Sequence, residues 1–172
     1  MTTLLLVRHG ETVDNVNRIM QGQTPGQLNE HGVEQAREAA TALQERHIDA
    51  FVSSDLQRSI DTCTILAAPH GGSVAVTPLL RERDWGSFTG KHIPSLSHLD
   101  DPTLWPKDIE TLPAMKERAE KFLAWIRGKY PGQTVLAVGH GIINKAVQSV
   151  YYSKPMNEIL PMKNLEVRVL EL

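Results

Sequence analysis

Four short clusters along the chain combine residue types that act on anions. The first, Arg8-His9-Gly10-Glu11-Thr12, sets a cation, an imidazole and a glycine in succession directly after the apolar run Leu4-Leu5-Leu6-Val7. Arginine offers a planar fork matched to phosphate or carboxylate oxygens, histidine a nucleophile or base near neutral pH, and glycine a backbone that a ligand can approach closely. Taken alone, this is an oxyanion site with a reactive imidazole. Arg58, the run Arg81-Glu82-Arg83 and the run Gly139-His140-Gly141 supply the other three clusters. Arg8, Arg58 and His140 around one point can hold the three non-reacting oxygens of a phosphoryl group, with His9 on the line of attack. Attack requires a neutral ring with one free nitrogen, so the other nitrogen should donate to a carbonyl that fixes the tautomer. Glu82 completes the set, because a departing alkoxide needs a proton that a partly buried carboxyl can give and later take from water. Asp84 offers the same chemistry two residues on.

These clusters can act together only if the fold gathers them, and the hydrophobic pattern predicts that it does. Residues 3–7 form a continuous apolar run with the character of a buried parallel strand, and Ile48 to Val52, Val74 to Thr77 and Thr134 to Val138 read as further strands. Asn29 can cap a helix whose apolar stripe is Val33, Ala36, Ala40 and Leu43. Ser53-Ser54-Asp55 reads as the cap of a second helix, through Leu56, Ile60, Cys63 and Ala67, that stops near Pro69 and Gly71-Gly72. Met115, Ala119, Phe122 and Ile126 mark a third over 114–127, and Glu166 to Leu170 alternates like an edge strand open to antiparallel pairing. Such alternation predicts an α/β fold, a three-layer α/β/α sandwich with a mostly parallel central sheet. Ligands bind such sheets beyond the carboxyl ends of the strands, where all four clusters fall. Helix N-termini at Asp55 and Gly141 are expected to add peptide N–H groups there.

The chain reads as one domain over 1–172. The irregular segment 83–113, broken by Pro94, Pro102, Pro106 and Pro113 and carrying Trp85, Phe88 and Trp105, is the expected lid or specificity insertion. With 18 Lys and Arg against 20 Asp and Glu, no overall basic field points to nucleic acid or an anionic membrane surface. The single cysteine, Cys63, has no internal disulfide partner, and no Cys/His cluster has zinc-ligand spacing. The four-residue apolar run before Arg8 is too short for a signal peptide or a membrane span, so a cytoplasmic location is expected. The sequence sets no oligomeric state.

Plainer roles compete at several positions. A helical Arg58 could pair with Asp55 or Asp61, and Glu82 could belong to a surface cluster with Arg81, Arg83 and Asp84. Arg83 reads as structural or substrate-facing, Cys63 and the tryptophans as packing residues, and His31, His47, His70, His92 and His98 as surface residues. His92, His98 and Trp105 also lie where an insertion can face a cleft.

At these residues the chain resembles the histidine phosphatase superfamily, in its phosphoglycerate mutase-like branch, from Leu4 to about Val147. The opening motif stands as Arg8-His9-Gly10-Glu11-Thr12 with Asn15, followed by the loop Gln21-Gly22. Ser53-Ser54-Asp55-Leu56-Gln57-Arg58, Leu80-Arg81-Glu82-Arg83-Asp84-Trp85-Gly86 and Val138-Gly139-His140-Gly141 stand for the remaining motifs. The resemblance implies a phosphohistidine on His9, a phosphate pocket of Arg8, Arg58 and His140, Glu82 as the proton donor, and Asn15, Gln21 and Gly22 near the phosphate or leaving group. It also implies a small phosphorylated substrate and neither metal nor cofactor. Gln23-Thr24-Pro25-Gly26-Gln27 and Pro113-Ala114-Met115 depart from the pattern of many relatives, at segments that line the entrance. Hydrolysis of a small phosphomonoester is the first expectation. Mutase-type phosphoryl transfer is the alternative, set back by the short stretch between Glu82 and His140, because mutases carry a longer insertion there that shields the phosphoenzyme from water. A phosphate-binding module without catalysis predicts a lost nucleophile or pocket arginine, and a metallohydrolase is disfavoured by the Arg8 charge beside His9.

Overall fold

The computed structural model describes residues 1–172. Its centre is a five-stranded sheet of β1 (Thr3–Arg8), β2 (Ala50–Ser54), β3 (Val74–Thr77), β4 (Thr134–Gly139) and β5 (Val167–Glu171), ordered β3-β2-β4-β1-β5. The first four strands are parallel, and β5 runs antiparallel along the outer side of β1. The helices are α1 (Val13–Asn17), α2 (Glu30–Leu43), α3 (Gln57–Ala67), α4 (Leu112–Lys129) and α5 (Gly141–Tyr152). Leu4 and Leu6 pack on one side with Met115, Phe122, Ile126 and Ile143, which belong to α4 and α5. Leu5 and Val7 pack on the other with Ala40, Cys63 and Leu66, which belong to α2 and α3. Burial on both faces is why β1 reads as unbroken hydrophobicity rather than alternation. No helix is long and apolar enough to cross a membrane.

Local chemistry accounts for most boundaries. The Asn29 side chain accepts from the Gly32 N–H and starts α2 as its sequence predicts. In α3 the predicted Ser53-Ser54-Asp55 cap is replaced: β2 runs on to Ser54, Leu56 takes the cap position without a side-chain bond, and the Asp55 carboxylate pairs with Arg81 in two-pronged fashion. Thr111 caps α4 through the Ala114 N–H, and Pro113 sits in the first turn, where its missing N–H costs nothing. The short α1, closed by a reciprocal pair of Thr12 and Asn15 bonds, has no apolar stripe and is invisible to periodicity.

Residues 83–113 contain three single 3-10 turns around a small cluster of Met20, Trp85, Phe88 and Ile109, with Trp105 and Ile142 against it. Backbone bonds from Met20 to Lys91, Gly90 to Met20 and Ile93 to Arg18 stitch the segment to the stretch that follows α1.

Candidate active site

Strand register puts the reactive residues level. Arg8 of β1 pairs with Gly139 of β4, so His9 and His140 leave adjacent strands at the same height, with ring centroids 5.0 Å apart. Ser54, at the end of β2, meets His140 Nε2 at 2.7 Å. Both histidines are buried.

His9 Nδ1 donates to the Gly10 carbonyl at 2.7 Å. A carbonyl can only accept, so the proton is on Nδ1 and the Nε2 lone pair is free. The His9 pKa falls to about 3 through burial first and the Arg58 charge second; Arg8 adds to the fall, and the Gly10 bond opposes it. His140 is lowered for the same leading reasons, burial and Arg58. Two neutral imidazoles therefore face one another at neutral pH.

Arg58, 1% exposed, comes from the first turn of α3 and donates to the carbonyls of Thr24 (2.5 Å) and Gly22 (2.8 Å). Burial lowers its pKa to about 10, against the pull of Glu82 and Asp14, so it stays cationic at neutral pH. Its expected surface partners are engaged elsewhere, Asp55 with Arg81 and Asp61 with Gln57. Arg8 donates from Nη1 to the Met162 carbonyl at 2.7 Å. The buried nitrogens Arg8 Nε, Arg58 Nε and His140 Nδ1 have no partner in the protein. Buried polar nitrogens are almost always satisfied, so two unpartnered guanidinium donors and an unpartnered imidazole nitrogen near His9 mark a place for acceptor oxygens.

Glu82 lies at this place by an unforeseen route. Its Oε1 accepts from the N–H groups of Arg83 (2.9 Å), Ile142 (3.2 Å) and Ile143 (3.1 Å), and its Oε2 from Ile142 (3.1 Å). The α5 N-terminus predicted to serve a ligand thus holds a side-chain carboxylate instead. At the other predicted terminus, the Arg58 N–H is taken by the Pro25 carbonyl. A Cβ on Gly141 would stand 3.7 Å from the Arg8 guanidinium and 3.8 Å from Glu82 Oε2, which places those two groups across one small gap. Asp84 is exposed, and its carboxylate accepts from the Gly86 N–H.

Of the three remaining residues, Gly22 bonds Arg58 directly, and Gln21 and Asn15 are tied to Thr12. Asn15 commits Oδ1 to the Thr12 N–H, Gln21 accepts from the Thr12 hydroxyl, and Gly22, at φ 52°, presents its carbonyl to Arg58. A Cβ on Gly22 would meet Thr89 Oγ1 at 3.0 Å. His92 and His98 are exposed, and half-buried His70 lies tilted against Phe51, ring centroids 5.2 Å apart.

Several supporting residues carry no signature in the sequence. Asn164 Nδ2 donates to the His9 carbonyl at 2.8 Å, and the Leu165 N–H to the Arg8 carbonyl at 2.8 Å. Arg168 holds that loop through the carbonyls of Leu160 and Pro161, the Gln148 side chain and Glu166. Thr62 accepts from the Gly10 N–H at 3.1 Å. Arg118 donates to the Arg81 and Glu82 carbonyls and pairs with Glu110, which fixes the backbone that carries the carboxyl. The backbones of Gly10 and Gly32 touch: a Cβ on Gly10 would lie 2.7 Å from the Gly32 carbonyl oxygen, and one on Gly32 2.0 Å from that of Glu11. No group of three His, Cys, Asp or Glu side chains is placed to hold a metal ion.

Comparison with known proteins agrees with this geometry. The model of the histidine phosphatase superfamily (branch 1) matches residues 4–172. A probable phosphoglycerate mutase GpmB of Klebsiella pneumoniae (strain 342) is 34% identical over 154 residues, 83% of this chain and 71% of that protein. The structure of Bacillus stearothermophilus YhfR superposes with a TM-score of 0.92 at 28% identity, covering 100% of this chain and 92% of the other. A mycobacterial glucosyl-3-phosphoglycerate phosphatase, Rv2419c, solved with VO3, gives 0.89 at 28% identity over 98% and 92% of the two chains.

Proposed function

This chain belongs to the histidine phosphatase superfamily, and on that premise we propose that it hydrolyses a small-molecule phosphomonoester without a metal, through a phosphohistidine on His9. The observation that carries this reading is the set of unpartnered buried nitrogens, Arg8 Nε, Arg58 Nε and His140 Nδ1, near a His9 whose tautomer leaves Nε2 unprotonated. In the first step His9 Nε2 attacks phosphorus, the Nε2–P bond forms, the bond to the leaving oxygen breaks, and Glu82, which enters the step as the carboxylic acid, gives its proton to that oxygen. In the second, water attacks phosphorus and gives its proton to Glu82, the Nε2–P bond breaks, and inorganic phosphate departs. Arg8 and Arg58 meet the equatorial oxygens with fixed charge. His140 donates from Nδ1 if the Ser54 hydroxyl gives its hydrogen to Nε2, which its 2.7 Å approach allows. Asn15, Gln21 and Gly22 frame the mouth.

The second reading is mutase-type transfer within one substrate, favoured by the resemblance to probable phosphoglycerate mutases. The short stretch between Glu82 and His140 favours water as the acceptor. The test follows free phosphate from a panel of phosphorylated metabolites in the presence of chelator, and traps the phosphoenzyme. Phosphate release and an acid-labile adduct, both lost in His9→Ala, are expected. Isomerised phosphoglycerate without phosphate release reverses the order of the two readings, and undiminished turnover by His9→Ala removes both. Glu82→Gln is expected to slow alkyl phosphates more than aryl phosphates, whose leaving groups need little protonation.

A further inference from the structure

A cavity of about 580 Å³ opens in the segment that follows Glu82, and His9, Arg8, Arg58, His140 and Glu82 do not line it. Its walls include Arg83, Trp105, Lys107, Ile109, Leu112 and Pro113, and no acidic residue lines it. Its volume falls within the range of small-molecule sites.

The charge within it is unbalanced. Arg83 is 9% exposed, its guanidinium lies 4.7 Å from the centre of the Trp85 ring and 5.2 Å from that of Trp105, and Nε donates to the Glu110 carbonyl. Its two Nη atoms make no hydrogen bond to the protein, and it forms no salt bridge. The neighbouring carboxylates are committed: Glu110 to Arg118, and Glu82 to peptide N–H groups. Glu110 and Glu82 act on the Arg83 charge without bonding its Nη groups, which leaves those groups free to hold an anion that enters the cavity. Lys107, exposed at the rim, adds a second cation.

The cavity lies at the catalytic end of the molecule. A helix joining parallel strands returns antiparallel to them, so the start of α4, with Leu112 and Pro113, stands at the carboxyl edge of the sheet. The Arg83 N–H binds Glu82 Oε1, and Ile142, whose own N–H holds Glu82, packs against the Trp85, Ile109 and Trp105 cluster.

We propose that this cavity receives the leaving-group end of the substrate, and that the preferred phosphomonoester carries a flat apolar body ending in a carboxylate or similar anion. Trp105, Ile109 and Leu112 contact the body, and the Arg83 Nη groups bind the anion, with Lys107 at the rim. This rests on the phosphatase reading and adds a substrate class to it.

Benzyl phosphate and 4-(carboxymethyl)benzyl phosphate test it, because the remote carboxylate leaves the acidity of the departing alcohol nearly unchanged. Wild type is expected to favour the carboxylated ester about tenfold or more in kcat/KM, mainly through KM. Arg83→Met is expected to reduce that ratio at least fivefold, and a ratio taken on one preparation is independent of the folded fraction. A wild-type ratio near one, or an unchanged ratio in Arg83→Met, overturns the proposal. If wild type releases phosphate from the metabolite panel but from neither ester, the proposal fails; if it releases none from either set, the phosphatase reading fails, and the cavity is tested by binding alone. The matching carboxymethylbenzyl phosphonate should then alter the fluorescence of Trp85 and Trp105 in wild type, with binding at least fivefold weaker in Arg83→Met. Equal binding by the two proteins overturns the proposal in that case as well.

Discussion

At the scale of single residues, the site depends on burial acting on two imidazoles. His9 and His140 are kept neutral by desolvation and by the Arg58 charge, so His9, as the proposed nucleophile, needs no separate base to deprotonate it. The same burial sets a pH dependence of stability. An unfolded histidine takes a proton near pH 6.5, whereas folded His9 resists protonation until about pH 3. Between these values the unfolded chain binds more protons, so stability falls as pH falls, by up to about 1.4 kcal/mol per pH unit for His9. His140 adds a loss of the same sign. Urea midpoints measured from pH 7 to pH 5, above the range where paired carboxylates titrate, should therefore decline. Ring NMR signals of His9 should not titrate between pH 5 and pH 8. A titration near 6.5 would show that the ring is solvated rather than enclosed.

At the scale of elements, the chemistry stands on contacts that apolar periodicity does not report. Strands β1 and β4 are legible because both faces are covered, and α2 because its cap and stripe agree. The end of β2 is not, since Ser53 and Ser54 are buried hydroxyls that resemble a helix cap when read alone. Likewise α3 buries Arg58, Ser59 and Thr62, a polar face that no hydrophobic stripe announces. Asn164 escapes notice because its partner is a main-chain carbonyl 155 positions away. Asn164→Ala should lower kcat about tenfold with a melting temperature within a few degrees of wild type, since the lost bond orients the proposed nucleophile but is worth only about 1 kcal/mol. The glycine pair offers a sharper comparison. Helix propensity alone makes Gly→Ala favourable by about 1 kcal/mol. Gly128 of α4 has open space around it and should show that gain on substitution, whereas Gly32→Ala forces a methyl into the Glu11 carbonyl and should cost about 2–3 kcal/mol and disturb the catalytic loop. Thermal melts of the two variants should move in opposite directions.

At the scale of the whole molecule, the sequence reveals a sheet edge where four clusters meet but not the shape of the chamber beside it. Arg83 and Trp105 are legible as a cation and an aromatic; that they stack and wall a cavity depends on the path of the irregular segment 83–113, which proline placement bounds but does not trace. The pairing of β1 with β5 has a further consequence. The groups that seat His9 and Arg8, at Met162, Asn164 and Leu165, lie about 155 positions further along the chain. At ordinary translation rates that is a delay of about 10–30 s. A C-terminal deletion ending before Met162 should retain every proposed catalytic residue and still fail to turn over substrate, which phosphate release by the purified fragment would check. Translation must thus proceed about 155 residues beyond His9 before the groups that seat this proposed nucleophile exist at all.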